Sequence, residues 1–495
     1  MLLSGRVAGP ARLAPRANVR ALRAESALLY LQVAMLMAVT FVAGRAGIGA
    51  IRYVFIAGCV AIAYQAWRAG PARHIEISII LFVFAPFLRR VVDFSAGFDP
   101  VGYMLMGPVL GLLPPCIDLY HWLVTGRRRQ DMGLLGPYIL MGLCLLYGTT
   151  VSLAQGDFLP TIVQLSKLLP PLTYGLWMAA RAGETPDVID GAARGFMITM
   201  PLAGLYGLYQ FFYPPEWDAY WLIMTAANSM GSGESEKIRV FGPMNSPASL
   251  GHFMMAGILV IAFAQRSLMG LLLCVPMFVG LMLSSVRAAW VGLAVGIVYC
   301  WLHGSTRARA QLVIVWGAAA IALILATSSF GDAVIDRFST FAAPEQDGSA
   351  QGRSGDFAAL IDDADHLVVG LGLGGLGSFD ISKPQVNLIP TEATDGIVVS
   401  SILTLGVVVG SLYMLGVVWA CAQGLIAVQA RPTRRMIAAS AVVLGNAVVL
   451  PLTAVTSGEI GFLFWAFLGM ISVARSQRDD AFEDAAALPL PKLPA

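Results

Sequence analysis

The stretch GIVVSSILTLGVVVGSLYMLGVVWACAQGLIAV, residues 396–428, carries no charged side chain from end to end. About 20 apolar residues suffice for a helix to cross the hydrocarbon core of a bilayer, so this stretch predicts a membrane-spanning helix. Comparable runs lie near 27–44, 51–67, 76–89, 101–124, 134–154, 160–180, 192–213, 246–265, 268–284, 288–303, 310–329, 435–456 and 459–474. The third and last are short enough to be re-entrant or broken. The expectation is therefore an all-α polytopic membrane protein with about 12–14 transmembrane helices. Pro114-Pro115 and Pro170-Pro171 are expected to kink or break their spans.

Composition agrees. Hydrophobic residues make up 57% of the 495-residue chain and charged residues 13%, with a mean hydropathy of +0.73. A soluble chain of this length does not need so much apolar surface. The six cysteines, Cys59, Cys116, Cys144, Cys274, Cys300 and Cys421, all fall in or beside apolar runs, so no disulfide framework is implied. A formal charge of +2 says little as a total, and no nucleic-acid partner is expected.

The distribution of charge says more. Lys and Arg near span ends mark the cytoplasmic side. With the N-terminus inside, that side collects Arg6–Arg23, Arg68, Arg73, Arg127–Arg129, Arg181, Arg194, Arg266, Arg307, Arg309, Arg431, Arg434, Arg435, Arg475 and Arg478. Arg89 and Arg90 break the bias most clearly. The organisation that follows is a cytoplasmic leader at 1–26, transmembrane helices over 27–213 and an outer loop at 214–245. Further helices occupy 246–330, a large extracytoplasmic loop 331–395, C-terminal helices 396–475 and a cytoplasmic tail 476–495. The arginine-rich N-terminus has no long apolar core, so it does not read as a cleaved signal peptide.

Chemistry concentrates in the outer loops. Arg239 stands in RVFGPMNSP, where Gly242, Pro243 and Pro247 make a defined bend, and Arg287 stands in the short outward turn of LSSVRAAWVGL. Arg337 and Arg353 lie in the large loop, in RFSTF and GRSGDF, and Glu392 and Asp395 lie where the chain re-enters the membrane. Each has an ordinary alternative: an interfacial anchor for Arg239 and Arg287, solvated loop for Arg337 and Arg353, and a helix N-cap for the acidic pair. Four arginines on one face nevertheless suit a lipid-linked anion, because guanidinium forks bind phosphate oxygens bidentately and stay charged. A diphosphate leaving group gains charge as its sugar departs, which fixed cations stabilise. One of the carboxylates would then accept a proton from an attacking hydroxyl.

The turn GLGLGGLGS, 370–378, invites a phosphate-loop reading, but no Lys-Ser/Thr follows it, and close backbone packing is the better expectation. Lys167, inside QLSKLLPP, is an ionisable group within a span and so a possible accessory residue. The histidines His74, His121, His252, His303 and His366 have no ligand spacing, and no metal site or cofactor is expected.

At these residues the chain resembles the O-antigen ligase/polymerase family of bacterial envelope polysaccharide assembly proteins. RVFGPMNSPASLG looks like the family's Arg–Gly–Asn/Pro opening of a span, and LSSVRAAWVGL like its Ser-Arg-small motif. DGSAQGRSGDFAALIDDADHLVVGLGLGGLGS is similar to the segment in which Ser-x-x-x-Arg precedes a glycine turn, and TDGIVVSSILTLGVVVGSLYMLG to the closing motif. The ordered pieces cover roughly 190–425. The resemblance implies a GT-C-like scaffold and an inverting, metal-independent glycosyl transfer on the outer face of the inner membrane. Its donor would be an undecaprenyl-diphosphate-linked oligosaccharide, with a flippase and a chain-length regulator as further partners beside membrane lipids. Arg239 and Arg353 would hold the diphosphate, with Arg287 and Arg337 as secondary candidates.

Ligases of the family usually carry a histidine in the closing motif, where this chain reads Ala393-Thr394-Asp395-Gly396. That departure favours a polymerase, as does the spacing from Arg337 to Gly348. Rival readings are a ligase that moves a finished glycan to another acceptor, and a non-enzymatic flippase or transporter. The latter would need polar residues along the spans, and apart from Lys167 these offer few.

Overall fold

A computed structural model describes residues 17–125, 132–180, 185–225, 230–264, 268–304, 368–375, 396–430 and 432–486. Regular structure among them is helical. Helices α1 (Ala17–Arg45), α2 (Ile51–Arg68) and α3 (Pro71–Ala96) are followed by a 3-10 turn at Tyr103–Leu105 that runs into α4 (Met106–Leu110). Then come α5 (Pro115–Thr125), α6 (Met132–Gln155), α7 (Phe158–Ala180), α8 (Thr185–Phe212) and α9 (Glu216–Thr225). The remainder are α10 (Pro247–Ala264), α11 (Leu268–Leu283), α12 (Arg287–His303), α13 (Ile397–Ala430), α14 (Arg434–Val448) and α15 (Gly458–Ala486).

Several of these helices are long and apolar enough to cross a membrane: Ser26–Arg45, Gly133–Gln155, Pro247–Ala264 and Ile397–Gln429. The expected span at 101–124 is a bent pair, Tyr103–Leu110 and Pro115–Val124, meeting at 44°. Pro114-Pro115 breaks that span as expected, with Pro115 opening the second helix. Pro170 and Pro171 behave differently: both lie buried inside an unbroken α7. The span expected at 310–329 lies outside the described residues.

Hydropathy also misjudged the third span. It marked 76–89, whereas α3 runs from Pro71 to Ala96. The helix begins at proline, whose missing N–H costs nothing in a first turn. It continues through Arg89, Arg90 and Asp93 because these charges are paired inside the protein.

The helices form a bundle with two ends. At one end, Val240 N–H donates to the Leu283 carbonyl (3.2 Å) and Ile397 N–H to the Leu450 carbonyl (3.1 Å). Arg52 there pairs with Asp93 at 2.9 Å. At the opposite end Arg435 meets Asp190 at 2.6 Å, and buried Glu76 receives Arg73 and Arg194 at 2.8 and 3.0 Å. One main core runs between the ends, with large buried side chains such as Trp177, Phe196, Phe253, Phe462 and Trp465. Five of the six cysteines are buried in the helix packing.

The break in α13 explains the glycine turn. Gly406 has φ 75° and ψ 167°, so the helix is interrupted there. An interruption frees carbonyls, and inside a bilayer they must find partners within the protein. Leu371 N–H donates to the Leu403 carbonyl (2.8 Å) and Gly372 N–H to the Thr404 carbonyl (2.9 Å). On the other side, Leu373 N–H reaches the Gly148 carbonyl (3.0 Å) and Gly374 N–H the Ser152 hydroxyl (2.6 Å). The segment 368–375 is thus wedged between α6 and α13, with Leu373 in the main core. A Cβ at Gly372 or Gly406 would strike neighbouring backbone. Close packing, not phosphate binding, is what these glycines serve.

Gly406→Val is expected to destabilise the protein by roughly 1–3 kcal/mol, since it forces a β-branched residue into a left-handed conformation against backbone. Thermal unfolding of the detergent-solubilised protein measures the shift, and an unchanged Tm would contradict the packing role.

Candidate functional site

The site is built on the loop RVFGPMNSP. Its foundation is Arg90 of α3, wholly buried at the bundle end where this loop sits. A buried guanidinium is tolerated only when its donors are satisfied. Here Nε donates to Asp218 Oδ1 (2.7 Å), Nη1 to the Met244 carbonyl (2.6 Å) and Nη2 to the Gly242 carbonyl (2.7 Å). The cation also faces the Phe241 ring at 4.8 Å and the Trp221 ring at 5.9 Å.

Asp218, on α9, is as buried as its partner. Its second oxygen accepts from the Tyr206 hydroxyl (2.7 Å) and from Gln210 Nε2 (2.6 Å), both on α8. Gln210 Oε1 turns back to the loop and accepts from Phe241 N–H (3.1 Å) and Gly242 N–H (2.9 Å). Gly242 has φ 57°, the left-handed conformation that lets the chain bend over the guanidinium. Three helices thus grip residues 241–244 from below.

That grip places Arg239. Its backbone N–H donates to the Met230 carbonyl at 2.9 Å. Its Nη2 lies 3.5 Å from the Ser285 carbonyl. Ser285, at φ 54°, is the corner of the α11–α12 turn, and Arg287 opens α12 two residues later. Arg239 and Arg287, far apart in sequence, therefore flank one turn. Nearby on the rim, Lys237 donates to Glu234 at 2.6 Å, and this hydrogen bond lowers the Glu234 pKa and raises that of Lys237.

The loop leaves through α10. Ser246 Oγ accepts from Ser249 N–H at 3.1 Å and so caps that helix. Ser249 Oγ donates to Glu459 Oε1 at 2.7 Å. Glu459 opens α15 and lies within electrostatic reach of Lys167 on α7. Gly396 packs against the turn at Pro451.

Of the residues singled out from sequence, the structure brings Arg239 and Arg287 to one turn and sets Lys167 toward a carboxylate. Arg337, Arg353, Glu392 and Asp395 lie outside the described residues. Sequence reasoning missed Glu459, Asp218 and Gln210, and met Arg90 only as an exception to the charge bias. The signal for Arg90 was that very exception. For Glu459 it was a lone carboxylate in TSGEIGF between two apolar runs. Among the described residues no group of three His, Cys, Asp or Glu side chains converges on a metal-sized site. His74 bonds Tyr174 Oη and the Gly111 carbonyl, both at 3.0 Å, while His252 bonds the Ala248 carbonyl at 2.8 Å.

The chain matches no protein-family model, and no curated protein is significantly similar to it. The resemblance noted above therefore rests on the quoted residues alone.

Removing one member of the buried pair leaves the other charge stranded, which typically costs about 3–5 kcal/mol. Asp218→Leu and Arg90→Met are each expected to lower stability on that scale, and Arg90→Met/Asp218→Leu less than the sum of the two. A double-mutant cycle read by thermal unfolding checks this, and additive losses would dissolve the clamp.

Proposed function

We propose that this protein is a glycosyltransferase that polymerises undecaprenyl-diphosphate-linked repeat units on the outer face of the bacterial inner membrane. The observation that carries the reading is the meeting of Arg239 and Arg287 at the α11–α12 turn, on a loop held by the buried Arg90–Asp218 pair. Two guanidiniums at the end of an apolar bundle match a ligand whose diphosphate sits at the bilayer surface and whose chain lies among lipids. Preorganised cations stabilise the charge that grows on the departing diphosphate, at no cost of rearrangement during reaction.

In this reading the described bundle belongs to a GT-C-like scaffold of about 12–14 spans, both termini face the cytoplasm, and the large loop 331–395 lies outside. Arg353 and Arg337 add to the diphosphate site, and Glu392 and Asp395 are the carboxylates at the re-entry. The arginines of the opposite end, Arg73, Arg194, Arg434 and Arg435, support that orientation through the positive-inside rule. The product is an exopolysaccharide, capsule or O-antigen chain.

Arg239→Ala, Arg287→Ala and Arg353→Ala are each expected to abolish long polymer while the protein still inserts. In cells lacking the protein, glycans on undecaprenyl diphosphate are expected to accumulate as single repeat units, resolved by mass. Accumulated long chains would make the protein a ligase. An unchanged profile would return it to the transporters.

A further inference from the structure

Glu459 has no assigned role, yet it accepts a hydrogen bond from Ser249 on the helix that continues the arginine loop. It stands at the second position of α15, after Gly458 with φ 60°, and is half-buried, so it reaches the surface of the site end. Ser249 has one hydroxyl proton, and it goes to Glu459 Oε1 at 2.7 Å. The 3.0 Å contact between Ser246 Oγ and Ser249 Oγ must then be a donation from Ser246. These hydroxyls lie on the same chain segment as Arg239, two and five residues beyond the Gly242–Met244 stretch that Arg90 holds. Their neighbour Asn245 has its amide oxygen buried without a hydrogen-bond partner among the described residues. Such an atom invites a donor from outside, and a sugar hydroxyl supplies one.

Lys167 on α7 lies within electrostatic reach of Glu459. Packing holds that relation firmly: α7 and α15 cross where Gly175 and Gly469 meet, and a Cβ at either would strike the other helix's backbone. The cluster therefore combines a carboxylate that accepts from Ser249 and couples to Lys167 with an unfilled amide oxygen on Asn245, one residue before Ser246.

We propose that Glu459 is the general base of the transfer and that Asn245 and Ser246 line the acceptor subsite. The proposal rests on the glycosyl-transfer reading and names the group that reading left open. In the step, the acceptor hydroxyl oxygen attacks the anomeric carbon of the donor and the new glycosidic bond forms. The bond from that carbon to the diphosphate oxygen breaks, and its electron pair leaves with undecaprenyl diphosphate, beside Arg239 and Arg287. The hydroxyl proton passes to the Glu459 carboxylate and then to solvent.

The test uses the full-length protein in liposomes, with the diphosphate-linked repeat unit isolated from cells that lack it as both donor and acceptor. Azide is added as a second acceptor, because it attacks without losing a proton. Glu459→Gln is expected to slow joining of repeat units about 10²–10⁴-fold, the usual range for losing a general base. Glycosyl azide formation is expected to stay near the wild-type rate. Asn245→Ala is expected to raise the KM for joining of repeat units with the KM for azide transfer unchanged.

Equal loss of both reactions in Glu459→Gln would make the residue a structural anchor and overturn the proposal. So would full activity of that variant, and Asp395→Asn or Glu392→Gln showing the selective pattern instead would reassign the base. Failure of the wild-type protein to release undecaprenyl diphosphate from the donor under any condition would overturn the glycosyl-transfer reading itself.

Discussion

The irregular loop at one end of this bundle depends on one buried ion pair, Arg90 with Asp218. Neither side chain touches solvent, so each needs hydrogen bonds in full. Arg90 finds its remaining acceptors in the carbonyls of Gly242 and Met244, and Asp218 finds its remaining donors in Tyr206 and Gln210. The pair thereby converts an expensive burial into a fixed position for an irregular loop. Such a network specifies one arrangement because a partly satisfied version costs more than an apolar core. Arg239 inherits its place from that arrangement, and the serines that hold Glu459 follow from the same loop.

The same logic governs the broken α13. A helix interrupted at Gly406 exposes carbonyls that a bilayer cannot hydrate, and the backbone of residues 371–372 supplies the missing donors. Glycine is required because the two backbones approach closer than any Cβ allows. Irregular backbone at depth persists where protein surrounds it. The segment 368–375 is therefore as much a part of the core as the helices are, although its sequence looks like surface turn.

Taken together, these devices separate support from reach. Charges with a full set of protein partners, such as Arg90, Asp218 and Asp93, hold helices in register. Arg239, Arg287 and Glu459 stand at the loop end of the bundle, where the proposed reading would have a lipid-linked diphosphate meet them. A catalytic arrangement gains from such stiffness, since cations that need not move lose nothing to reorganisation.

The sequence by itself determined the helical class and most helix positions, because a bilayer imposes a length and an apolar character that a single span displays locally. Residues 396–428 announce α13 without any partner. It also marked Arg239 and Arg287, through defined bends and a very short turn, and it anticipated that the glycines of 370–375 pack. Tertiary structure alone decided which charges are buried and which are presented. Arg89 and Arg90 read as surface cations until Asp93, Asp218 and the loop carbonyls are brought to them, and the partner of Arg90 lies 128 residues away. Glu459 gained meaning only when α10 delivered Ser249, 210 residues earlier in the chain. Hydropathy sums a window of neighbours, whereas pairing is set by which helices touch, and a charge's role depends on the second of these.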